Sequence, residues 1–401
     1  EQMAALPEAL GEFKQLLGDR SISDLLNLAN CEDPQQIMIQ RLLLFACTPA
    51  FFISPTLMPL LVLKLASLSL RHGNSGVTAY AHATYAFIAA NFFGSYAEGY
   101  EFGKLALEMN SKFNNVALTC RINGVFAGFV SIYQQPLKSG MELLRTGLKA
   151  GLETGDFTYV GYCCFHTVTQ LFGAGDELSS VLQETERLIG VAQSTGEMFA
   201  LGALRVARQA IRNLSGTTQS RGTLSDTDFN EEQFVASFKQ AEFTTLECWY
   251  YSIKLQLAYL YGDYATAQKM ASEAQARVRG ALGLHFVTDL NFFTCLTLTA
   301  LGHQPKAGAE GPAGVLFTLL EQLKKWADCY PDNYRHKYIL VKAELARLAG
   351  QRNEAIDLYD EAIALAQKSE FTHHAAIACE LAGRYLLGLG RTRYANPYLY
   401  D

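Results

Sequence analysis

The stretch ILVKAELARLAGQRNEAIDLYDEAIALAQ, from Ile339 to Gln367, decides the fold, because its pattern predicts a helix, a glycine turn and a second helix. If Gly350 is the turn of a helical hairpin, small or aromatic residues are required five, nine and twelve positions later. Ala355, Tyr359 and Ala362 occupy those positions. Small residues allow the two helices to approach closely, and the aromatic ring fills the gap to the next hairpin. The stretch therefore predicts one unit of a stacked helical array.

The same spacing recurs along the chain. Two further strong copies turn at Gly262, followed by Ala267, Ala271 and Ala274, and at Gly94, followed by Gly99, Gly103 and Ala106. Weaker copies are centred on Gln135, Gly175, Gly302 and Gly390. The spacing is near forty residues, longer than the ~34 of a strict tetratricopeptide unit, so longer helices or larger loops are expected. The sequence thus predicts an all-α fold, a TPR-like α-α superhelix (solenoid) of helical hairpins with a period of about 40 residues.

Two polar, turn-rich segments interrupt the repeats, at 215–233 and 303–314. The first has few apolar anchors and is expected to be a mobile loop or linker. Four parts are therefore predicted: an N-terminal helical lead-in, a front section of repeats, a polar loop or linker, and a rear section truncated at its C-terminal end. Their ranges are 1–29, 30–213, 214–233 and 234–401.

Composition narrows the possible functions. The 401 residues include 33 Lys and Arg against 39 Asp and Glu, a net charge of −6 that argues against nucleic-acid binding. Nine cysteines without C-x-x-C spacing favour a reduced, cytoplasmic compartment. The N-terminus lacks the pattern of a signal peptide and an initiator Met, so we expect a cytoplasmic fragment of a longer chain.

The residues from Leu42 to Leu63 carry no charge and are numerous enough to span a bilayer. Pro49, Pro55 and Pro59 argue against a span, because each removes a backbone hydrogen bond that lipid cannot replace. We predict instead that residues 40–47 are the end of one buried helix, that 48–55 form a turn and that 58–71 form the next helix. A membrane span is the alternative.

No nucleotide-binding loop, zinc-protease motif or nucleophile elbow occurs in the sequence. No catalytic residue, cofactor site or metal site is therefore predicted in this chain. Cys163, Cys164 and His166, with the distant pair His373 and His374, are possible metal ligands, but core packing is the preferred interpretation. For the aromatic run at 249–251, packing between repeats is likewise preferred over ligand stacking.

In helical arrays the first helix of each hairpin commonly lines a concave binding groove. Counting back from the turns at Gly262 and Gly350 gives the predicted groove residues, for each of which plain solvent exposure is the alternative. They are Trp249, Ser252, Gln256, Tyr259, Lys337, Glu344 and Arg347.

Five ordered motifs and one long run resemble a single family. The motifs are RSISDLLNLANCEDPQQ (20–36), SPTLMPLLVLKLASLSLRHGNS (54–75), GYEFGKLALEM (99–109), GLETGDFTYVGY (151–162) and LYGDYATA (260–267). The run begins KKWADCYPDNYRHKYILVKAELARLAGQ at Lys324 and ends in AIACELAGRYLLGLGRTRYANPYLYD. Together they resemble the helical-repeat region of large multidomain signalling kinases. In that family a serine/threonine-kinase-like domain and an AAA-type ATPase domain precede the repeats, and a GAF domain and a sensor histidine kinase or other output domain follow.

The resemblance implies a non-catalytic regulatory and protein-interaction solenoid that couples the ATPase and kinase part to the GAF and histidine-kinase domains. Its partners are expected to be domains of the same polypeptide or other proteins, with neither nucleic acid nor a membrane span involved. ATP and Mg are expected only in the absent domains, and whether the parent's enzymatic activity involves this chain is left open. The alternative is a groove that senses a small molecule or peptide and controls an ATPase switch.

Overall fold

The computed structural model describes residues 2–54, 56–240 and 243–400. In these ranges the protein is 79% helix and contains no strand, apart from one isolated bridge between Asn30 and Asn74. The predicted all-α class is confirmed. Pro55, the predicted end of a turn, and Glu1 and Asp401, the outer limits of two predicted sections, lie outside the described residues.

The chain forms two compact units. The first comprises residues up to Gln134 together with Ser139–His166, and the second comprises Gln135–Lys138 and the residues from Thr167 onward. Helix α8 crosses this boundary in the sequence. Among the described residues, four short 3-10 helices occur at Ile22–Asn27, Ser131–Tyr133, Leu137–Gly140 and Val278–Ala281.

The α-helices up to the boundary follow one another with short connections. They are α1 (Gln2–Leu17), α2 (Pro34–Ile53), α3 (Leu57–His72), α4 (Thr78–Asn91), α5 (Tyr96–Phe113), α6 (Val116–Phe129), α7 (Met141–Thr154) and α8 (Phe157–Ala174). Most consecutive helices pack against each other, most extensively α4 with α5 and α6 with α7, and α1 packs against α3.

The second unit continues from the end of α8. Its helices are α9 (Leu178–Thr195), α10 (Met198–Leu214), α11 (Glu231–Gln240), α12 (Thr244–Leu260), α13 (Tyr264–Gln275), α14 (Phe286–Ala300), α15 (Pro312–Cys329), α16 (Pro331–Leu348), α17 (Arg352–Lys368), α18 (Thr372–Gly388) and α19 (Thr392–Tyr400). The closest hairpins are α12 with α13 and α16 with α17, the two that Gly262 and Gly350 were predicted to join.

The turns predicted at glycines are confirmed. All six predicted turn glycines have a left-handed backbone, with φ between 67° and 84°. At Gly350, for example, φ is 73°, a conformation that ends α16 and that residues with a Cβ rarely adopt. The glycines are Gly94, Gly175, Gly262, Gly302, Gly350 and Gly390.

The small residues predicted at hairpin contacts are buried. Ala355, Tyr359 and Ala362 lie in the core, and the positions predicted after Gly262 and Gly94 are buried as well. Space is tight at Gly99 of α5, where an added Cβ would lie 2.7 Å from the carbonyl oxygen of Ala86 on α4. These helices therefore approach closely because one side chain is missing. Whether the hairpins coil into a superhelix stays a prediction.

Helix α2 is longer than predicted. It runs from Pro34 to Ile53, so most of the predicted turn over 48–55 is helical and Pro49 lies inside the helix. A proline within a helix removes one backbone hydrogen bond, and α2 continues despite that loss. The predicted break into two helices is confirmed, since α3 begins at Leu57.

The predicted mobile linker is packed against α10. The Asn213 side chain donates to the carbonyl oxygens of Ser220 (3.1 Å) and Thr223 (2.9 Å), and Gln209 donates to that of Leu224 (2.7 Å). Leu224 is fully buried. Polar side chains of α10 therefore supply the anchors that the segment lacks, and the segment is not a free linker. The division of the chain at 214–233 stays a prediction.

The contact between α4 and α5 is tested by Gly99→Ala. The new methyl group would press on the Ala86 carbonyl, so the free energy of unfolding should fall by about 1–3 kcal/mol. The matched control is Gly11→Ala in α1, where no atom lies within 4 Å; it should raise stability by about 0.5–1 kcal/mol through helix propensity. Urea unfolding measures both. Similar effects of the two substitutions would contradict the close packing.

Candidate functional site

Helix α14 forms the centre of the second unit. It packs against α12 on one side and α16 on another, and thirteen of its fifteen residues are buried. Its sequence, FVTDLNFFTCLTLTA, is apolar on all faces, which is typical of a core helix. The single charged residue, Asp289, is therefore placed in an interior where it requires a partner.

Lys337 of α16 is that partner. Its ammonium group lies 2.6 Å from Oδ1 of Asp289, and it also donates to the hydroxyl of Thr288 at 3.3 Å. The Lys337 side chain has no exposed surface. The rings of Tyr334 and Phe371 lie 5.9 Å and 5.8 Å from the ammonium nitrogen, within the range of cation-π attraction. Lys337 thus has one counter-ion and two aromatic faces inside the protein.

Four histidines surround this ion pair. His336 of α16 and His374 of α18 share a hydrogen bond of 2.9 Å between Nε2 and Nδ1. His373 lies against His374 with ring centroids 3.8 Å apart, and Nδ1 of His285 is 4.0 Å from the Asp289 carboxylate. Each of the four rings also has one buried nitrogen without a hydrogen-bond partner. We call these four rings with Lys337 and Asp289 the histidine cluster.

The end of α8 leaves room for two of these rings. A Cβ at Gly173 would lie 2.4 Å from Cε1 of His285, and one at Gly175 would lie 1.9 Å from Nδ1 of His373. A larger residue at either position would collide with a histidine ring, so glycine is required at both.

The charges of Lys337 and Asp289 balance, so the cluster is neutral when its imidazoles are neutral. The pKa values of His285 and of His373 are lowered to about 4, chiefly by burial; Asp289 opposes the shift and Lys337 contributes to it. Burial, Lys337 and His373 hold the pKa values of His336 and His374 well below their usual range. Near pH 7 the cluster therefore holds its imidazoles neutral.

A cavity of about 230 Å³ lies beside the cluster. It forms where the segment 136–138, the end of α8, the start of α16 and the turn between α17 and α18 meet. Phe371 lines this cavity and also contacts the cluster, since its ring stacks on His374 with centroids 5.7 Å apart and lies 4.6 Å from the His336 ring. We call this cavity the Phe371 cavity.

A wider and more open depression lies in the first unit, between the end of α1 and α3. Its two arginines are already engaged: Arg71 pairs with Glu12 at 2.6 Å, and Arg20 donates to the carbonyl oxygen of Leu16 at 2.7 Å. The Phe371 cavity is therefore the stronger candidate for a binding site.

The four predicted groove residues on α12 are buried, so plain solvent exposure, the alternative given for each, does not hold for them. Trp249 donates from Nε1 to the carbonyl oxygen of Ala203 at 3.1 Å, and Ser252 donates to that of Cys248 at 2.7 Å. Gln256 and Tyr259 are at most 8% exposed. Counting back from the turn at Gly262 identified residues that share one face of α12, but it did not identify the helices that cover that face. Packing of Trp249 between helices, the preferred interpretation, is confirmed.

On α16, Lys337 and Glu344 are also buried, and Arg347 alone keeps substantial exposure, at 28% of its side chain. The Glu344 carboxylate accepts hydrogen bonds from Arg347, at 2.7 Å, and from the hydroxyl of Tyr359 on α17. The structure therefore assigns these residues to contacts between helices. A binding role for any of the seven stays a prediction.

Sequence reasoning did not find the histidine cluster, although its parts were visible. His373 and His374 were considered only as metal ligands, and Lys337 only as a groove residue. The available signal was a lone carboxylate, Asp289, in an otherwise apolar helix.

The alternative of a metal site also involved Cys163 and Cys164. Both are fully buried, and the sulfur of Cys163 lies 3.8 Å from that of Cys120. Within the described ranges, no group of three or more His, Cys, Asp or Glu side chains has the arrangement of a metal site.

No protein-family model matches this chain, and no curated protein matches it with significant similarity. One described stretch, Val116–Tyr133, is long and apolar enough to cross a membrane, and 72% of it is buried inside the protein. A core helix has the same properties, so this stretch is weak evidence for a span.

Stability should fall as the pH drops from 6.5 toward 4. Above pH 6.5 the cluster histidines are neutral in both the folded and the unfolded chain. Below pH 6.5 they bind protons in the unfolded chain but stay neutral in the folded chain, because burial lowers their pKa. Four histidines should together cost about 5 kcal/mol of unfolding free energy by pH 5.5. Urea unfolding across this range measures the effect. His373→Asn should reduce the slope by about one proton. A slope equal to that of the unaltered chain would contradict the buried-neutral assignment.

Breaking the buried ion pair should destabilise the second unit. Lys337→Met leaves the Asp289 carboxylate buried without a cation and should lower the free energy of unfolding by about 3–5 kcal/mol. Adding Asp289→Asn should recover much of the loss. The matched control is Lys324→Met, which removes an exposed pair with Asp328 and should leave urea unfolding unchanged. A double variant as unstable as the single one would argue against the pairing.

Proposed function

We propose that this chain is a non-catalytic regulatory and protein-interaction module of a multidomain, ATP-dependent signalling kinase. It couples the ATPase and kinase part to the GAF and histidine-kinase output domains, which supply the sites for ATP and Mg. In this proposal the hairpins form a TPR-like superhelix in the cytoplasm. Support comes from the ordered motifs of the resemblance and from consecutive packed hairpins with glycine turns.

The observation that carries the proposal is an exposed apolar stripe on α2. Met38, Leu42 and Phe45 are 53%, 62% and 66% exposed and follow each other at the spacing of one helix face. On the opposite face, Leu44 and Cys47 are buried. A helix that is apolar on both faces is normally covered on both, so the stripe fits a partner surface.

The ATPase domain is the partner proposed for this stripe. In the resemblance it precedes the repeat region, and α2 is the first long helix after the lead-in. An apolar helix face is also a common docking element between proteins, with anchors at the spacing observed here.

A second candidate function is the sensing of a small molecule. The Phe371 cavity favours it, because a concave site with a buried floor meets the usual requirement for ligand binding. The site differs from the predicted groove, since none of the seven groove residues lines it.

Replacing the stripe should abolish partner binding without loss of stability. The triple variant Met38→Ser, Leu42→Ser, Phe45→Ser should weaken binding of the separately expressed ATPase domain at least about tenfold in calorimetry. Its melting temperature should stay unchanged, because these side chains are exposed in the free chain.

The matched control is Met198→Ser, which removes an equally exposed apolar side chain from α10 and should leave binding intact. An unaltered chain that bound neither the ATPase nor the GAF domain would overturn the proposal. Phosphotransfer by this chain alone would contradict the non-catalytic assignment.

A further inference from the structure

We propose that the Phe371 cavity binds a small zwitterion of the amino-acid class, with its ammonium group toward Glu370 and Asp332, its carboxylate toward Lys368 and its apolar side chain on the floor. The inference goes beyond the interaction function and does not depend on partner binding. It specifies a site and a ligand chemistry for the sensing role.

The floor of the cavity is apolar and its wall is fixed. Leu137, Ala174 and Phe371 are all buried. Asn333, also buried, accepts a hydrogen bond from the backbone N–H of Leu137 at 3.1 Å and donates to the carbonyl oxygen of Gln135 at 2.8 Å. These two bonds hold the segment 135–138 against the start of α16. The floor is therefore preorganised for an apolar group.

The rim carries charges that are available to a ligand. Lys138 pairs with Asp176 at 2.8 Å. Asp332, Lys368 and Glu370 are exposed and form no ion pair with the described part of the chain. Two carboxylates and one ammonium group then remain, which favours a ligand that bears both a cation and an anion.

Glu370 occupies a position where glycine is expected. Its φ is 64°, and among the described residues only Asn114 shares a positive φ without being glycine. A left-handed backbone costs a glutamate roughly 1–2 kcal/mol, whereas asparagine tolerates it better. The carboxylate is therefore present at a cost to stability, as is common at binding sites.

The size of the cavity limits the ligand. Its volume of about 230 Å³ is below the ~300–1,000 Å³ typical of drug-sized ligands. A single amino acid fits this range, and its side chain would rest on Phe371. That ring also contacts His336 and His374, so only the Phe371 ring would separate the ligand from the histidine cluster.

The test uses the full chain with L-leucine, L-methionine and L-phenylalanine as probes, each at about 10 mM. We expect at least one to raise the melting temperature by about 2 °C or more and to bind in calorimetry. The N-acetyl derivative, which lacks the ammonium group, and the amide, which lacks the carboxylate, should each bind at least about tenfold more weakly.

Glu370→Gly should abolish the ligand-induced shift while leaving the ligand-free melting temperature unchanged or higher, since it relieves the backbone strain. Lys368→Ala should weaken binding at least about tenfold. Two controls should leave binding unchanged: Asn114→Gly, which relaxes the other left-handed turn, and Glu354→Gln, which removes an exposed carboxylate at the far end of α17.

Absence of binding by all three probes would overturn the inference, as would equal binding of the blocked derivatives. Unaltered binding by both Glu370→Gly and Lys368→Ala would overturn it too. Failure of the ATPase domain to bind the α2 stripe would leave these measurements unaffected, so the two proposals fail separately.

Discussion

The second unit depends on one interaction, the ion pair between Lys337 and Asp289. A fully buried ammonium group is stable only with a close counter-ion, and the 2.6 Å contact provides it. Because Asp289 already pairs with Lys337, a proton bound by one of the surrounding imidazoles would add a buried positive charge without a counter-ion. The imidazoles are therefore neutral. The pair thus joins α14 to α16, and the histidines extend the contact to α18 and to Phe371 beside the cavity.

The fold class and the hairpin turns were predictable because each depends on local spacing. A left-handed turn selects glycine, and close helices select small residues, so Gly350 and Ala355 carry both signals in one stretch. The length of α2 was not predictable in the same way. Pro49 suggested an end, but packing of the helix against α3 outweighs the loss of one hydrogen bond.

The candidate site was only partly visible in the sequence. Helical spacing shows which residues share a face, but the neighbours that cover the face come from distant segments. Lys337 and Asp289 are 48 positions apart, and Leu137 and Asn333 at the cavity are 196 apart. No local pattern reports such pairs. Trp249 and Tyr259 were placed on a groove for the same reason, since their face was identified and its covering helices were not.

The polar segment after α10 has a consequence for the design of shorter chains. Its composition marks it as a natural place to cut, yet the amides of Asn213 and Gln209 find their acceptors in it and Leu224 fills the core. A fragment that stops at Asn213 would leave the side-chain amides of Gln209 and Asn213 without acceptors. It would also leave an apolar cavity where Leu224 packs in the full chain. Truncation boundaries for this protein are therefore better chosen from hydrogen bonding than from composition.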